Sequence, residues 1–370
     1  MGDPMRVLLL SANTGEGHNA TAKAVMEVLE PRGVYCCLDD ALAYLSPKFS
    51  KFISKGHVNL YRYSPKVFDA GYRFMERTAD PEEFDPIYEL LSLGANKLYH
   101  AIIDAAYDAV ICVHPFSGLM VTEIRQSRGL HIPCYFVATD YTCCPTVEHC
   151  DLDGYFIPSV GLVTEFTIAG LPESRLLPTG IPVRQAFYER NDRQEARKAL
   201  GLPTDKPIVL LMCGSMGCGP IKRVAKELTE QLPQGAVTVA VCGSNDKLYD
   251  SMVPLQGSSL RLLGFTTKIA RYMDAADVIV TKPGGLSTTE AANKGLPMVL
   301  LNTVGGCESR NLDFFVRNGF AAGSDDPEQV VAHTVLLIRD EQRRLRMHQR
   351  LREHFTVNSA QAIAQHILEK

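Results

Sequence analysis

No stretch of the 370-residue chain reaches the roughly 20 unbroken apolar residues that cross a bilayer, which excludes an ordinary membrane-spanning helix. Basic excess is missing too: 38 Lys and Arg stand against 42 Asp and Glu, a net charge of -4, so no nucleic acid is expected as a partner. No Cys-x-x-Cys pair occurs among the eleven cysteines, an odd number, and Cys36, Cys112, Cys134, Cys213 and Cys242 lie inside apolar runs and read as buried, reduced thiols. The local group Cys143, Cys144, His149 and Cys150 lacks the usual spacing of a zinc site, so no metal is expected. The opening MGDPMRVLLLSAN has an apolar run too short for a secretory segment, and Arg6 stands where a myristoylation signal needs Ser or Thr. These absences predict a cytoplasmic protein, soluble or peripheral on the inner face of the cell membrane.

The length suits two domains, each with its own core. Two segments about 200 residues apart repeat one plan. VLLLSA is followed by the loop NTGEGH and the helical pattern NATAKAVMEVLE, and PIVLLMCG leads through Gly214, Gly217 and Gly219 to IKRVAKELTEQL. Further strand candidates are VYCCLD, AVICVH, CYFVATD, DGYFIP, VTVAVCG, LRLLGF, DVIVTK and PMVLLN, with helical patterns between most of them. Alternation of this kind predicts an α/β fold with two parallel, Rossmann-like sheets facing a central cleft. A boundary near Arg184 divides residues 1–183 from 184–370, and the last helix is expected to pack back on the first domain.

In such sheets ligands bind beyond the carboxyl ends of the strands. Gly15, Gly17 and Ala20 fit the dinucleotide pattern G-x-G-x-x-G/A, with Asp39 or Asp40 ending the second strand, so a NAD-dependent enzyme is one reading. His18 adds a titratable imidazole to that loop, suited to taking a proton, although a histidine there also serves to cap local backbone. In the second half, Gly214, Ser215 and Gly217 offer backbone N–H groups to a phosphate, with no Gly-Lys-Ser/Thr to make a Walker loop. The run DVIVTKPGGLSTTEAANKGLPMVLLN carries the strongest signal. A strand ends at Lys282, Gly284 and Gly285 turn the chain, and Ser287 and Thr288 supply hydroxyls where a helix begins, a cradle for a diphosphate. Glu290 falls in the first turn of that helix, either gripping the vicinal hydroxyls of a ribose or complementing the helix dipole.

With GEGHNATAKA, HPF (114–116), TDY (139–141), GIPV (180–183), GFT (264–266), KPGGLSTTEA and GCESRN in place, the chain resembles the GT-B glycosyltransferases that comprise monogalactosyldiacylglycerol synthases and processive diacylglycerol glucosyltransferases. These belong to glycosyltransferase family 28, related to the peptidoglycan N-acetylglucosaminyltransferase. The resemblance implies an inverting hexosyltransferase that moves a sugar from a UDP-sugar to diacylglycerol or a related glycolipid, with the UDP-sugar as substrate and no cofactor. It places Glu290 on the ribose, Ser215, Ser287 and Thr288 around the diphosphate, Lys282 beside the departing UDP, Phe265 beside the uracil, and Glu308 and Asn311 near the sugar. The first half then takes the acceptor, with Gly15, Gly17 and His114 shaping its pocket and His18 or Asp140 as the base. Relatives usually carry Gln where this chain has Cys307, so glucose, galactose and N-acetylglucosamine all stay open. A UDP-N-acetylglucosamine 2-epimerase-like isomerase and a regulator without activity are the competing readings.

Residues 46–77 hold seven basic residues, two acids and seven aromatics. Phe49, Phe52 and Ile53 share a helical face with Leu45 while Lys48, Lys51 and Lys55 flank it, the composition of a segment lying on an anionic membrane surface. The same residues also suit a core face under a solvated one.

Overall fold

The computed structural model describes residues 3–12, 16–48, 50–51, 56, 85–302 and 304–369. It divides into two compact units, residues 1–185 with 357–370, and residues 186–356.

The first unit runs β1 (Arg6–Ser11), α1 (Glu16–Leu29), β2 (Tyr35–Asp40), α2 (Asp85–Asp104), β3 (Ala109–Cys112), α3 (Pro115–Arg128), β4 (Cys134–Val137), β5 (Gly154–Phe156), α4 (Val163–Ile168) and β6 (Leu176–Leu177). All six strands pair in parallel, in the order β2-β1-β3-β4-β5-β6. The apolar runs of β3 and β4 are buried throughout, as strands covered on both faces must be. A C-terminal helix, Ser359–Leu368, closes this unit: Ala360, Ile363, Ala364 and Ile367 pack with Val25 and Leu29 of α1 and with Val137 and Phe156 of the sheet. Each buried isoleucine contributes about 1.5–3 kcal/mol. Gly180, at φ +90°, admits that helix, since a Cβ here would lie 2.4 Å from the Ser359 hydroxyl.

The second unit runs α5 (Arg193–Ala199), β7 (Ile208–Met212), α6 (Ile221–Gln231), β8 (Val237–Val241), α7 (Asp246–Met252), β9 (Leu260–Leu263), α8 (Ile269–Ala275), β10 (Val278–Thr281), α9 (Gly285–Lys294), β11 (Met298–Leu301), α10 (Cys307–Arg317), β12 (Ala321–Ser324), α11 (Pro327–Arg339) and α12 (Glu341–His354). Its strand order is β12-β11-β10-β7-β8-β9, again all parallel. A buried ion network fastens α5 to the start of the sheet: Arg197 pairs with Asp277 at 2.7 Å, and Asp277 also accepts from the Ile208 amide at 2.7 Å.

In each sheet the chain winds outward in two directions from a central pair. That pair is β1/β3 in the first and β7/β10 in the second. Loops diverge above such a pair and leave a crevice at the strands' carboxyl ends.

Candidate active site

His18 lies in the first turn of α1 and His114 immediately after β3, so both stand above the β1/β3 crevice of the first unit. The His18 Nδ1 is 2.7 Å from the Val113 carbonyl oxygen. A carbonyl only accepts, so Nδ1 carries the hydrogen and Nε2 is left with its lone pair. Burial lowers the pKa of His18 below 6.5, overriding the opposing pull of the Asp140 carboxylate and the Val113 bond. The ring is therefore neutral near pH 7. Thr139 Oγ1 lies 3.3 Å from that same Nδ1 and donates to Asp140 Oδ2 at 3.4 Å, linking the imidazole to the carboxylate through one hydroxyl.

His114 takes the opposite tautomer. It caps α3, its Nδ1 accepting from the Phe116 amide at 3.1 Å, and its ring meets His18 edge-on with centroids 4.7 Å apart. Gly17 is exposed, and among the described residues a Cβ added to it would meet nothing within 4 Å. Gly15 and most of the basic aromatic segment 46–77 lie outside the described residues. Of that segment's described lysines, Lys48 and Lys51 are exposed. The Cys150 thiol donates to the Thr146 carbonyl at 3.6 Å and abuts Gly118, and burial raises its pKa.

In the second unit Lys282 follows β10 directly and its ammonium donates to Glu308 Oε1 at 2.8 Å, with side chains 19% and 11% exposed. Gly214, at φ +71°, makes room for the lysine, because a Cβ would sit 3.0 Å from Lys282 Cε. The mouth of α9 begins at Gly285, with Gly284 as N-cap and no side-chain cap. Its first N–H groups therefore have no acceptor within the helix and point a partial positive charge into the β7/β10 crevice.

Several residues do other work than their sequence positions suggest. The helix starts at Gly285, two residues before Ser287, so Glu290 is in its second turn and the dipole-capping role falls away. Thr288 is fully buried and donates to the Gly284 and Gly285 carbonyls at 2.9 and 3.0 Å, which leaves the half-buried Ser287 as the hydroxyl at the mouth. Asn311 is also fully buried, its amide donating to the Pro283 carbonyl at 2.8 Å, which fastens the turn before α9. Gly217, at φ +56°, packs on the loop after β8, where a Cβ would fall 2.1 Å from the Cys242 carbonyl oxygen. Its neighbour Ser215 is exposed, with its own carbonyl fixed by the Ser244 amide at 2.9 Å. Phe265, just past β9, presents a ring that is 71% exposed.

Sequence reasoning missed Thr139, the Val113 carbonyl and the Lys282–Glu308 pair. The first has a signal in TDY, a hydroxyl beside the acid at a strand end. The second is backbone, and the third joins residues 26 apart in the chain.

Residues 18–183 match the family model described as Monogalactosyldiacylglycerol (MGDG) synthase, and residues 208–310 match Glycosyltransferase family 28 C-terminal domain. A processive diacylglycerol beta-glucosyltransferase from Bacillus subtilis (strain 168) is 27% identical over 376 residues, spanning 100% of this chain and 96% of the relative. A chloroplastic monogalactosyldiacylglycerol synthase from Spinacia oleracea is 30% identical over 347 residues, covering 88% of this chain and 65% of that protein. Among solved structures, MurG of Acinetobacter baumannii is similar with a TM-score of 0.67 and 16% identity, over 99% of this chain and 100% of that one. The MnaA–UDP co-structure from S. aureus is similar at a TM-score of 0.63 and 14% identity, over 98% and 96%. At those identities the likeness is one of fold, that of the GT-B glycosyltransferases.

Proposed function

The chain belongs to the monogalactosyldiacylglycerol synthase family, with a glycosyltransferase family 28 C-terminal domain, and we propose that it is an inverting hexosyltransferase carrying a sugar from UDP to diacylglycerol or a glycolipid derived from it. The observation that carries the proposal is the His18 tautomer. A neutral imidazole with a free acceptor nitrogen, steadied at its other nitrogen by Val113, is a general base ready for a hydroxyl. Sequence relatives acting on diacylglycerol favour that chemistry over an isomerase or a NAD-dependent enzyme.

His18 Nε2 takes the proton from the acceptor hydroxyl as its oxygen bonds to the anomeric carbon. The carbon's bond to the diphosphate oxygen breaks, and UDP leaves with the bonding pair. The imidazolium so formed is stabilised by the Asp140 carboxylate, whose charge favours the protonated ring. Charge growing on the diphosphate meets the open N–H groups of α9 and the Lys282 ammonium, an arrangement worth most when charge develops. Glu290 suits the ribose and the exposed Phe265 segment the base. The donor recognition we infer is for a UDP-sugar, because solved GT-B neighbours hold UDP or UDP-glucose.

The acceptor is a membrane lipid, so the enzyme works at a membrane surface. Among the described residues no helix is long and apolar enough to cross one. Residues 46–77 supply basic and aromatic side chains for contact with that surface. Lipid-dependent release of UDP from UDP-glucose or UDP-galactose tests the reading. Release that is independent of added diacylglycerol speaks against it.

A further inference from the structure

The second unit carries arginines that the transfer chemistry does not use. Residues 339–354 contain six of them, at 339, 343, 344, 346, 350 and 352, against three acids, in a chain whose net charge is -4. Some have structural work. Arg344 donates to the Leu337 and Ile338 carbonyls, both at 2.6 Å, and so caps the end of α11. Arg352 lies along Gly295, where a Cβ would come within 2.9 Å of its Cδ, and Arg350 lies against Gly319. Met347 and Leu351 bury the adjacent face of α12.

Arg339, Arg343 and Arg346 remain. All three are exposed, and among the described residues their side chains make no hydrogen bond or ion pair. Helical spacing sets Arg343, Arg346 and Arg350 on one stripe, and like charges three and four residues apart oppose the helix that carries them. A planar guanidinium pairs bidentately with phosphate, and a stripe of guanidinium groups without partners among the described residues complements a lipid surface of fixed negative charge.

We propose that the exposed arginine face of α12, with Arg339 at its approach, docks on the headgroups of an anionic lipid bilayer. The choice of a bilayer over another polyanion rests on the transferase reading above, whose acceptor is a membrane lipid. Each basic residue near such a surface strengthens binding about fivefold.

Cosedimentation of the full chain with vesicles of phosphatidylcholine, with and without phosphatidylglycerol, tests this directly. The triple variant Arg339→Gln, Arg343→Gln, Arg346→Gln should partition onto the phosphatidylglycerol vesicles roughly a hundredfold less well than the parent. Its activity on detergent-dispersed acceptor should be unchanged, because none of the three belongs to the active site. Comparison with the parent isolates this face from residues 46–77, which the variant keeps. Equal partitioning of parent and variant overturns the proposal. So does equal binding of the parent to vesicles of phosphatidylcholine alone, or retention on heparin without retention on vesicles. An unchanged thermal midpoint certifies the triple variant; if that midpoint falls, Arg346→Gln alone decides, with about a fivefold loss expected. If the parent turns over no diacylglycerol in any form the transferase reading fails, while the vesicle measurement still decides this one.

Discussion

His18 donates its Nδ1 hydrogen to the Val113 carbonyl across 2.7 Å, and that bond fixes which nitrogen of the ring is free to react. The first strand–helix unit supplies the imidazole, and the residue that follows the third strand supplies the oxygen that orients it. Removing the base should therefore cost rate more than affinity. His18→Ala is expected to lower kcat by about 10²–10⁴-fold while leaving UDP binding within about twofold, measured by steady-state kinetics and calorimetry.

The same ring sets the acid limb of the pH profile. Its pKa is held below 6.5 by burial, so kcat/KM should stay level as pH falls to 6.5 and drop only below it. Stability follows the same sign. Well above 6.5 neither the folded nor the unfolded state protonates this histidine. Below 6.5 the unfolded chain binds a proton that the folded state resists, so the contribution of His18 declines as pH falls. A limb centred well above 6.5 and absent from His18→Gln contradicts this assignment.

Lys282→Ala leaves the Glu308 carboxylate, 11% exposed, without its 2.8 Å partner. We expect a loss of about 1–3 kcal/mol in denaturant unfolding, together with weaker UDP binding. Lys282→Ala combined with Glu308→Gln should recover much of the stability and none of the affinity, a separation that a purely structural ion pair would not show.

Ser287 and Thr288 are adjacent and should behave differently. Ser287→Ala removes the hydroxyl at the mouth of α9 and should weaken UDP binding by about 1 kcal/mol. Thr288→Val removes a buried bond to the helix backbone and should lower stability by about 1 kcal/mol with UDP affinity little changed. Equal losses of affinity in both variants would place the diphosphate elsewhere.

Two glycines give a matching contrast. Gly217→Ala forces a Cβ toward the Cys242 carbonyl oxygen at φ +56° and should destabilise by about 2 kcal/mol or more in thermal unfolding. Gly17→Ala meets nothing within 4 Å among the described residues and should be neutral or up to about 0.5 kcal/mol stabilising, while lowering turnover of the bulky acceptor.

Most of the architecture was legible in the residues. Each of the ten apolar runs taken as strands is one, and most read as continuous hydrophobic segments because they are buried on both faces. The pair Leu176–Leu177 and the strand AAGS at 321–324 were not, being a very short edge and a run of small residues. That the glycine-rich segments follow the first strand of each unit could be read from chain order. What sequence did not reveal was the division of labour within each loop. Which hydroxyl faces outward, as between Ser287 and Thr288, depends on where α9 begins. The roles of Asn311 and Gly217 depend on a carbonyl brought near from another loop.

The most direct test is the identity of the product. Purified protein incubated with UDP-glucose or UDP-galactose and diacylglycerol should yield hexosyl-diacylglycerol by mass spectrometry, with UDP released in equal amount and the anomeric configuration inverted by NMR. His18→Ala should yield almost none. A rearranged UDP-sugar without any lipid product, or lipid product formed with the donor's configuration retained, would contradict the account.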